Sequence, residues 1–241
     1  MADRNDDAPA SAGGSATRTS RGGWPLRRRL LERDSYGVLF ALIVLLLITT
    51  AIGGGSTAGR AIAAVLQGAV LLYALWTARA GRHVFRAAVV VVPTVVVVVA
   101  AASGRSSNAA VAAVAATEAA LSLAAIAAIG RQLIAHPRVS AATILGALCM
   151  YLLIGMFFAS VYATVNAMSG DSFFVTETAP RSIDFLYFSY VTLTTVGYGD
   201  LTAAGDLGRM LAVTEALLGQ LYLVTVVALV IGNIGRERTR A

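Results

Sequence analysis

Long apolar runs alternate along the chain with short polar segments, and the length of each run limits what it can become. Six runs approach the ~20 residues that a helix needs to cross a bilayer: Tyr36 to Gly53, Ala61 to Ala78, Val84 to Ala102, Ala109 to Ile129, Val139 to Met168 and Leu207 to Gly235. Between the fifth and sixth, Phe185 to Thr194 reads FLYFSYVTLT, too short to span, with Pro180 and Ser182 ahead of it as a helix-start signal. A run of that length suits a re-entrant half-helix. Non-helical backbone at membrane depth is tolerated only where it lines a water-filled path or is buried in protein. The residues after Thr194 are therefore expected to border such a path. The pattern predicts an all-α membrane protein of six transmembrane helices plus one re-entrant helix.

Residues 1–35 are rich in Ala, Gly, Ser, Asp and Arg, with too few large apolar side chains to bury a core, and are expected to be a disordered tail. The first apolar run follows an Arg cluster and precedes Gly53, Gly54, Gly55 and Ser56, which mimics a cleavable signal peptide. Its distance from the N-terminus argues for an uncleaved helix instead. Six crossings put both termini on one side of the membrane. Segments on that side carry Arg21, Arg27, Arg28, Arg29 and Arg33, then Arg79, Arg82 and Arg86, then Arg131 and Arg138, then Arg236, Arg238 and Arg240. The opposite side carries Arg60, Arg105, Arg181 and Arg209. This bias predicts cytoplasmic termini by the positive-inside rule.

Composition narrows the class further. With 57% hydrophobic and 13% charged residues, the chain is unlike an ordinary cytoplasmic enzyme. All 19 basic residues are Arg, scattered singly or in short clusters, whereas a nucleic-acid reader gathers them on one polar face. No nucleic-acid partner is expected. Cys149 alone excludes a disulfide framework and a thiolate cluster, and the separated His83 and His136 do not make a zinc site. No acid/base pair or activated nucleophile stands out, so neither enzyme activity nor a cofactor is expected.

The chemistry lies in the string TTVGYGD, Thr194 to Asp200. A backbone that aims successive carbonyl oxygens at one axis alternates between right- and left-handed dihedrals, and Gly enters the left-handed state without steric cost. Gly197 and Gly199 supply that freedom at every second position. Set between a half-helix and a full crossing, the string resembles the selectivity filter of the tetrameric potassium channels. The coordination mechanism below is that family's and is not read from spacing. The resemblance implies that the carbonyls of Thr195, Val196, Gly197 and Tyr198, with the Thr195 hydroxyl, replace the hydration shell of K⁺ in a filter over residues 195–199. Gly199 closes that filter, and Thr194 and Asp200 support it. The side chains of Val196 and Tyr198 would point away from the axis and pack behind it. Four copies surround an ion, and one motif per chain implies a closed homotetramer. A Gly-rich turn between two helices is the bland alternative, and the flanking context speaks against it.

The resemblance runs from about Val139 to Gly235, which implies a pore domain over 137–235: outer helix 139–168, pore helix 183–194, filter, and inner helix 207–235. Gly219, 20 positions after Gly199, falls where potassium channels often carry a hinge glycine; a close helix contact through a small residue explains it equally well. In the hinge register, Gln220, Leu223, Val227 and Ile231 share the pore-facing stripe. Glu215, one turn before Gly219, braces the inner helix against the pore helix or, alternatively, meets the ion. Many family members have an acid where this chain has Val191 and a Trp where it has Phe188, both able to hydrogen-bond the aspartate after the filter. Asp200 lacks both.

The first four crossings, residues 36–136, resemble the layout of a voltage-sensor domain. Such a sensor needs positive charge at every third position of its fourth helix, because one charge moved through 100 mV is worth about 2.3 kcal/mol. Between Ala109 and Gly130 there is no Arg or Lys, so steep voltage gating is not expected. Glu118 lies nine residues into that crossing, roughly 14 Å deep at the helical rise. An acid at that depth costs about 2.5–3.5 kcal/mol on insertion scales, which makes it a candidate proton sensor or a bundle-bracing acid, with Gln67 and Thr94 as partners. Pro93 is a candidate kink. Trp24, Trp76 and the Phe173–Phe174 pair are candidate interface anchors. The short tail 236–241 has no room for a ligand-binding module, leaving protons, lipid, tension, the filter or another subunit to gate. These features predict a passive potassium-selective channel, homotetrameric, surrounded by lipid in a plasma membrane of bacterial inner-membrane type. K⁺ is the permeant ion. A non-conducting regulatory subunit and a weakly selective cation channel are the alternatives.

Overall fold

The computed structural model describes residues 24–53, 56–77, 86, 88–90, 92–93, 108–135 and 141–238. Six helices are delimited among them: α1 (Trp24–Gly53), α2 (Thr57–Thr77), α3 (Asn108–Ala135), α4 (Ala141–Ser169), α5 (Ser182–Leu193) and α6 (Asp206–Arg238). All except α5 are long and apolar enough to cross a membrane. No strand occurs among the described residues, only an isolated antiparallel bridge between Phe174 and Ala203. The third predicted crossing falls largely outside the described residues. Those of it that are described are helical, with Val92 buried and Pro93 exposed. Thr94, a suggested partner of Glu118, lies outside them.

The disordered tail expected over 1–35 is corrected in its second part, because α1 begins at Trp24 and runs unbroken into the first crossing. Pro25 sits in the first turn, where its missing N–H costs nothing. The following LRRRLLER is made of strong helix formers, and the apolar helix beyond supplies the nucleus that a short segment cannot afford alone. Residues 1–23 lie outside the described residues. At the other end, α6 carries three residues past the expected Gly235.

Helix faces follow from the side chains. In α1, Tyr36, Leu39, Ile43 and Leu46 are buried at helical spacing while Val38, Leu45 and Ile48 are exposed. In α3 the buried seam is Ala115, Ala119, Ser122, Ala125 and Ala128, small side chains that permit close approach. The helix packs extensively on α4, which also touches α1, α5 and α6. The helix α4 is therefore the hub joining the leading helices to α5 and α6. At Gly146 the Tyr36 ring lies where a Cβ would stand 3.0 Å from its Cε1, so the small residue admits α1 against α4.

The half-helix α5 starts at Ser182, as Pro180 and Ser182 indicated. Asp184 closes its first turn by accepting the backbone N–H of Arg181 at 2.7 Å, with the Arg181 guanidinium 3.6 Å away. Ahead of it, Phe173 and Phe174 are buried, not anchored at an interface as expected. Their rings meet Tyr162, Phe185 and Phe188 at centroid distances of 5.0–6.0 Å. Backbone bonds from Val175 to Thr202 (3.0 Å) and from Ala204 to Phe173 (2.9 Å) pin this outer loop to the segment that follows the filter string. Two adjacent aromatic residues in a polar loop read like an anchor. Ring contacts with Tyr162, Phe185 and Phe188 bury both of them instead.

Candidate functional site

The end of α5 dictates the geometry of residues 194–199. The Thr194 N–H and hydroxyl both donate to the Tyr190 carbonyl, at 3.0 and 2.6 Å. The Thr195 N–H donates to Thr192 at 2.9 Å, and the N–H groups of Val196 and Gly197 converge on the Val191 carbonyl at 3.0 and 3.3 Å. With these donors turned back onto the half-helix, the extended segment has carbonyl groups left free of those bonds. Its φ angles are positive at every second residue: 58° at Thr195, 58° at Gly197 and 79° at Gly199. The two glycines meet no strain there. Thr195, β-branched, holds a left-handed conformation costing about 1–3 kcal/mol, which the surrounding bonds must sustain.

Behind this strand, Tyr198 lies parallel to Tyr187 of α5, with 6.4 Å between centroids and 5° between planes. The Tyr187 hydroxyl donates to Oδ2 of Asp200 at 2.8 Å. Asp200 thus has a partner, contrary to the expectation drawn from Val191 and Phe188. The donor sits one position earlier, on the face of α5 that turns toward the string. The hydrogen bond to Asp200 pushes the Tyr187 phenol above its usual range. The Thr176 hydroxyl adds a bond to the Asp200 carbonyl at 3.2 Å, from the outer loop. A cleft of about 580 Å³ runs beside the string, bounded by Tyr187, Val191, Gly197, Asp200 and Arg209.

The inner helix is tied to the half-helix at two points. Glu215 is fully buried, and its carboxyl group meets the Tyr162 hydroxyl of α4 and the Ser189 hydroxyl of α5, each at 2.5 Å. Both contacts join α6 to its neighbouring helices. Gly219 lies against the end of α5: a Cβ there would stand 2.6 Å from the Leu193 carbonyl oxygen. The glycine therefore has a packing reason, and α6 shows no break at it. The same carbonyl accepts the Tyr151 hydroxyl at 3.2 Å. Tyr222 stacks on Tyr151 and donates to Ala147 at 2.6 Å. Gln220, Leu223 and Val227 are exposed; the Ile231 side chain lies outside the described residues.

Among the leading helices, Glu118 is half-buried, and the partner suggested for it is otherwise engaged. Gln67 donates to the Ser122 hydroxyl at 2.7 Å, one turn along α3, in a buried pair. Trp76 is exposed at the end of α2 beside Tyr73; the Trp24 side chain lies outside the described residues. Sequence reasoning missed Tyr187, Ser189, Tyr162 and Ser122. Only Ser122 gave a signal, as the lone hydroxyl in the apolar run from Ala119 to Gly130.

Residues 146–235 match the family described as ion channel. Two relatives are rice proteins (Oryza sativa subsp. japonica). Two pore potassium channel a is 37% identical over 87 residues, covering 36% of this chain and 22% of that protein. Two pore potassium channel b is 43% identical over 72 residues, covering 30% and 18%. Protein LctB of Geobacillus stearothermophilus is 50% identical over 44 residues, covering 18% and 32%. The chain thus spans about a fifth of the length of the rice relatives and a third of the bacterial one. These matches point to a channel rather than an enzyme. With several helices of membrane-crossing length and an ion-channel match from within α4 through α5 and TTVGYGD into α6, the chain is a multi-pass membrane protein that is similar over residues 146–235 to ion channels.

Proposed function

We propose that the chain is the subunit of a potassium-selective channel that conducts K⁺ passively through a homotetrameric pore. The observation that carries this reading is the alternation of positive φ at Thr195, Gly197 and Gly199 in a strand whose N–H groups turn back onto the half-helix. That backbone can present the carbonyls of Thr195, Val196, Gly197 and Tyr198 to one side, where they replace the water of a dehydrated K⁺. The likeness to two potassium channels of rice supports the choice of ion.

Four copies close the ring. Support comes from the uneven burial of the spans: within the single chain 11% of the α6 window is buried, against 44% for α4. Leu217, Leu218, Leu221 and Val224 of α6 stay exposed, a face suited to neighbouring copies and to lipid. Asp200 and Thr194 hold the two ends of the filter, and Gly219 is the point about which α6 bends if the pore gates there. The protein resides in a plasma membrane with both termini in the cytoplasm, as the Arg distribution indicates. No cofactor is required; K⁺ is the cargo.

The test is ion flux from proteoliposomes of the purified full chain, under K⁺ and Na⁺ gradients, with Gly199→Asp as control. Flux with K⁺ alone, lost in the control, is the expected result. Equal Na⁺ and K⁺ flux would overturn the selectivity, and flux surviving Gly199→Asp would overturn the assigned pathway.

A further inference from the structure

The contacts around Glu215 contain more bonds than an ionised carboxylate can satisfy. The Ser189 oxygen lies 2.7 Å from the Gly155 carbonyl oxygen of α4 and 2.5 Å from Oε1 of Glu215. The Tyr162 oxygen lies 2.5 Å from Oε2. A serine hydroxyl has one proton, and a backbone carbonyl has none. If Glu215 were a carboxylate, Ser189 could bridge only one of its two neighbours, leaving two lone-pair-bearing oxygens in unbridged contact. A proton on Oε1 resolves the count. Glu215 then donates to Ser189, Ser189 donates to Gly155, and Tyr162 donates to Oε2. Every oxygen pair holds one hydrogen, and the chain of bonds runs from α6 through α5 to α4.

The surroundings agree. Both Ser189 and Glu215 are fully shielded from solvent in the chain, and a buried charge needs a partner of opposite sign. The titratable groups facing Glu215 are Tyr162 and Tyr151 from α4 and Tyr190 from α5, none of which supplies positive charge. Among the described residues no Arg is among the groups that act on it.

We propose that Glu215 is a neutral, hydrogen-bond-donating carboxylic acid that positions the pore helix, and that removing its proton releases one of the two ties holding Ser189. When hydroxide takes that proton, forming water, the Ser189 hydroxyl must choose between Gly155 and the carboxylate. Through Ser189 the half-helix then keeps its bond to α4 or to α6 but not both, while its bonds to α4 through Tyr190 and Leu193 remain. The strand from Thr194 onward hangs on the end of that half-helix, so a shift there moves the carbonyl groups that meet the ion. Glu215 is a positioning residue; it does not touch the permeant ion. The effect on conduction rests on the channel reading above, whereas the protonation state does not.

The experiment therefore has two readouts on the reconstituted full chain, from neutral to alkaline pH. Infrared difference spectra between wild type and Glu215→Gln report the carboxylic-acid carbonyl stretch; K⁺ flux is followed in parallel. Glu215→Gln keeps an N–H donor toward Ser189 and a carbonyl acceptor toward Tyr162. At neutral pH the wild type is expected to show an acid band absent from the Gln variant. On alkalinisation that band and the flux should fall together, by up to about tenfold per pH unit beyond the shared midpoint. The Gln variant should conduct at neutral pH and lack that fall. Ser189→Ala, which removes the acceptor, should shift the band to higher wavenumber, assigning it even if the Gln variant does not fold. A carboxylate signature for Glu215 at neutral pH overturns the proposal, as does an alkaline loss of flux that persists unchanged in the Gln variant. Absence of flux from every protein, with the acid band present, would instead refute the channel reading and leave the protonation established.

Discussion

Tyr187 is the residue through which α5 reaches the far end of the TTVGYGD string. Its hydroxyl bonds Asp200 at 2.8 Å and its ring lies parallel to that of Tyr198, so one side chain touches both residues that close the strand. Tyr187→Phe retains the ring and deletes the bond. K⁺ current through the variant is expected to decay a few-fold faster during sustained conduction, with single-channel conductance little changed, as recorded in planar bilayers. Unaltered decay would show that the bond does not restrain the filter. The sequence foretold a deficit here, because it lacks the acid and the Trp that many members of the family it resembles place at Val191 and Phe188. The deficit is filled by a residue whose role depends on which face of a short helix turns toward the string, and apolar runs with aromatic residues on every side do not reveal that face. The left-handed Thr195 was invisible for a related reason: its conformation is imposed by bonds to Thr192 and Val191, not by its own preference.

Between α5 and α6 the spacing is set by glycine. At Gly219 an added methyl would stand 2.6 Å from the Leu193 carbonyl oxygen and 2.7 Å from its Cδ1. Backbone on both sides cannot yield cheaply, so Gly219→Ala is expected to cost about 1–3 kcal/mol. The check is a lower thermal midpoint for the solubilised protein, together with reduced flux. A midpoint equal to wild type would mean that the helices separate easily there, and it would favour the hinge over the packing explanation. Helix existence and order were legible from apolar run lengths, and α4, α5 and α6 each begin within two residues of the position read from the runs. The start of α1 was not, because a composition rule averaged over 35 residues hides a helix that begins inside the window and is nucleated by the apolar segment beyond it.

For the molecule as a whole, the fourth apolar run decides what the leading helices can do. The helix α3 has no positive charge between Ala109 and Gly130, and its buried seam is alanine and serine. At about 2.3 kcal/mol per charge and 100 mV, it lacks the row of positive charges whose movement would do that electrical work. Open probability is therefore expected to vary little between about −100 and +100 mV; a steep sigmoidal conductance would refute that. Instead, the helix joins α2 through Gln67 and Ser122 and packs along α4. That arrangement joins the leading helices to α5 and α6 through the hub helix.

By itself, the sequence determined the class, the number and order of apolar runs, the half-helix and the glycine alternation in TTVGYGD, because each depends on local length, composition or backbone freedom. Only the tertiary structure decided which polar side chains meet. Tyr162, Ser189 and Glu215 are separated by 27 and 26 positions along the chain, and Tyr187 and Asp200 lie on different elements. A buried hydrogen bond forms between whichever groups three packed helices bring within reach, and that depends on rotation and register between helices, which no pattern along a single run encodes.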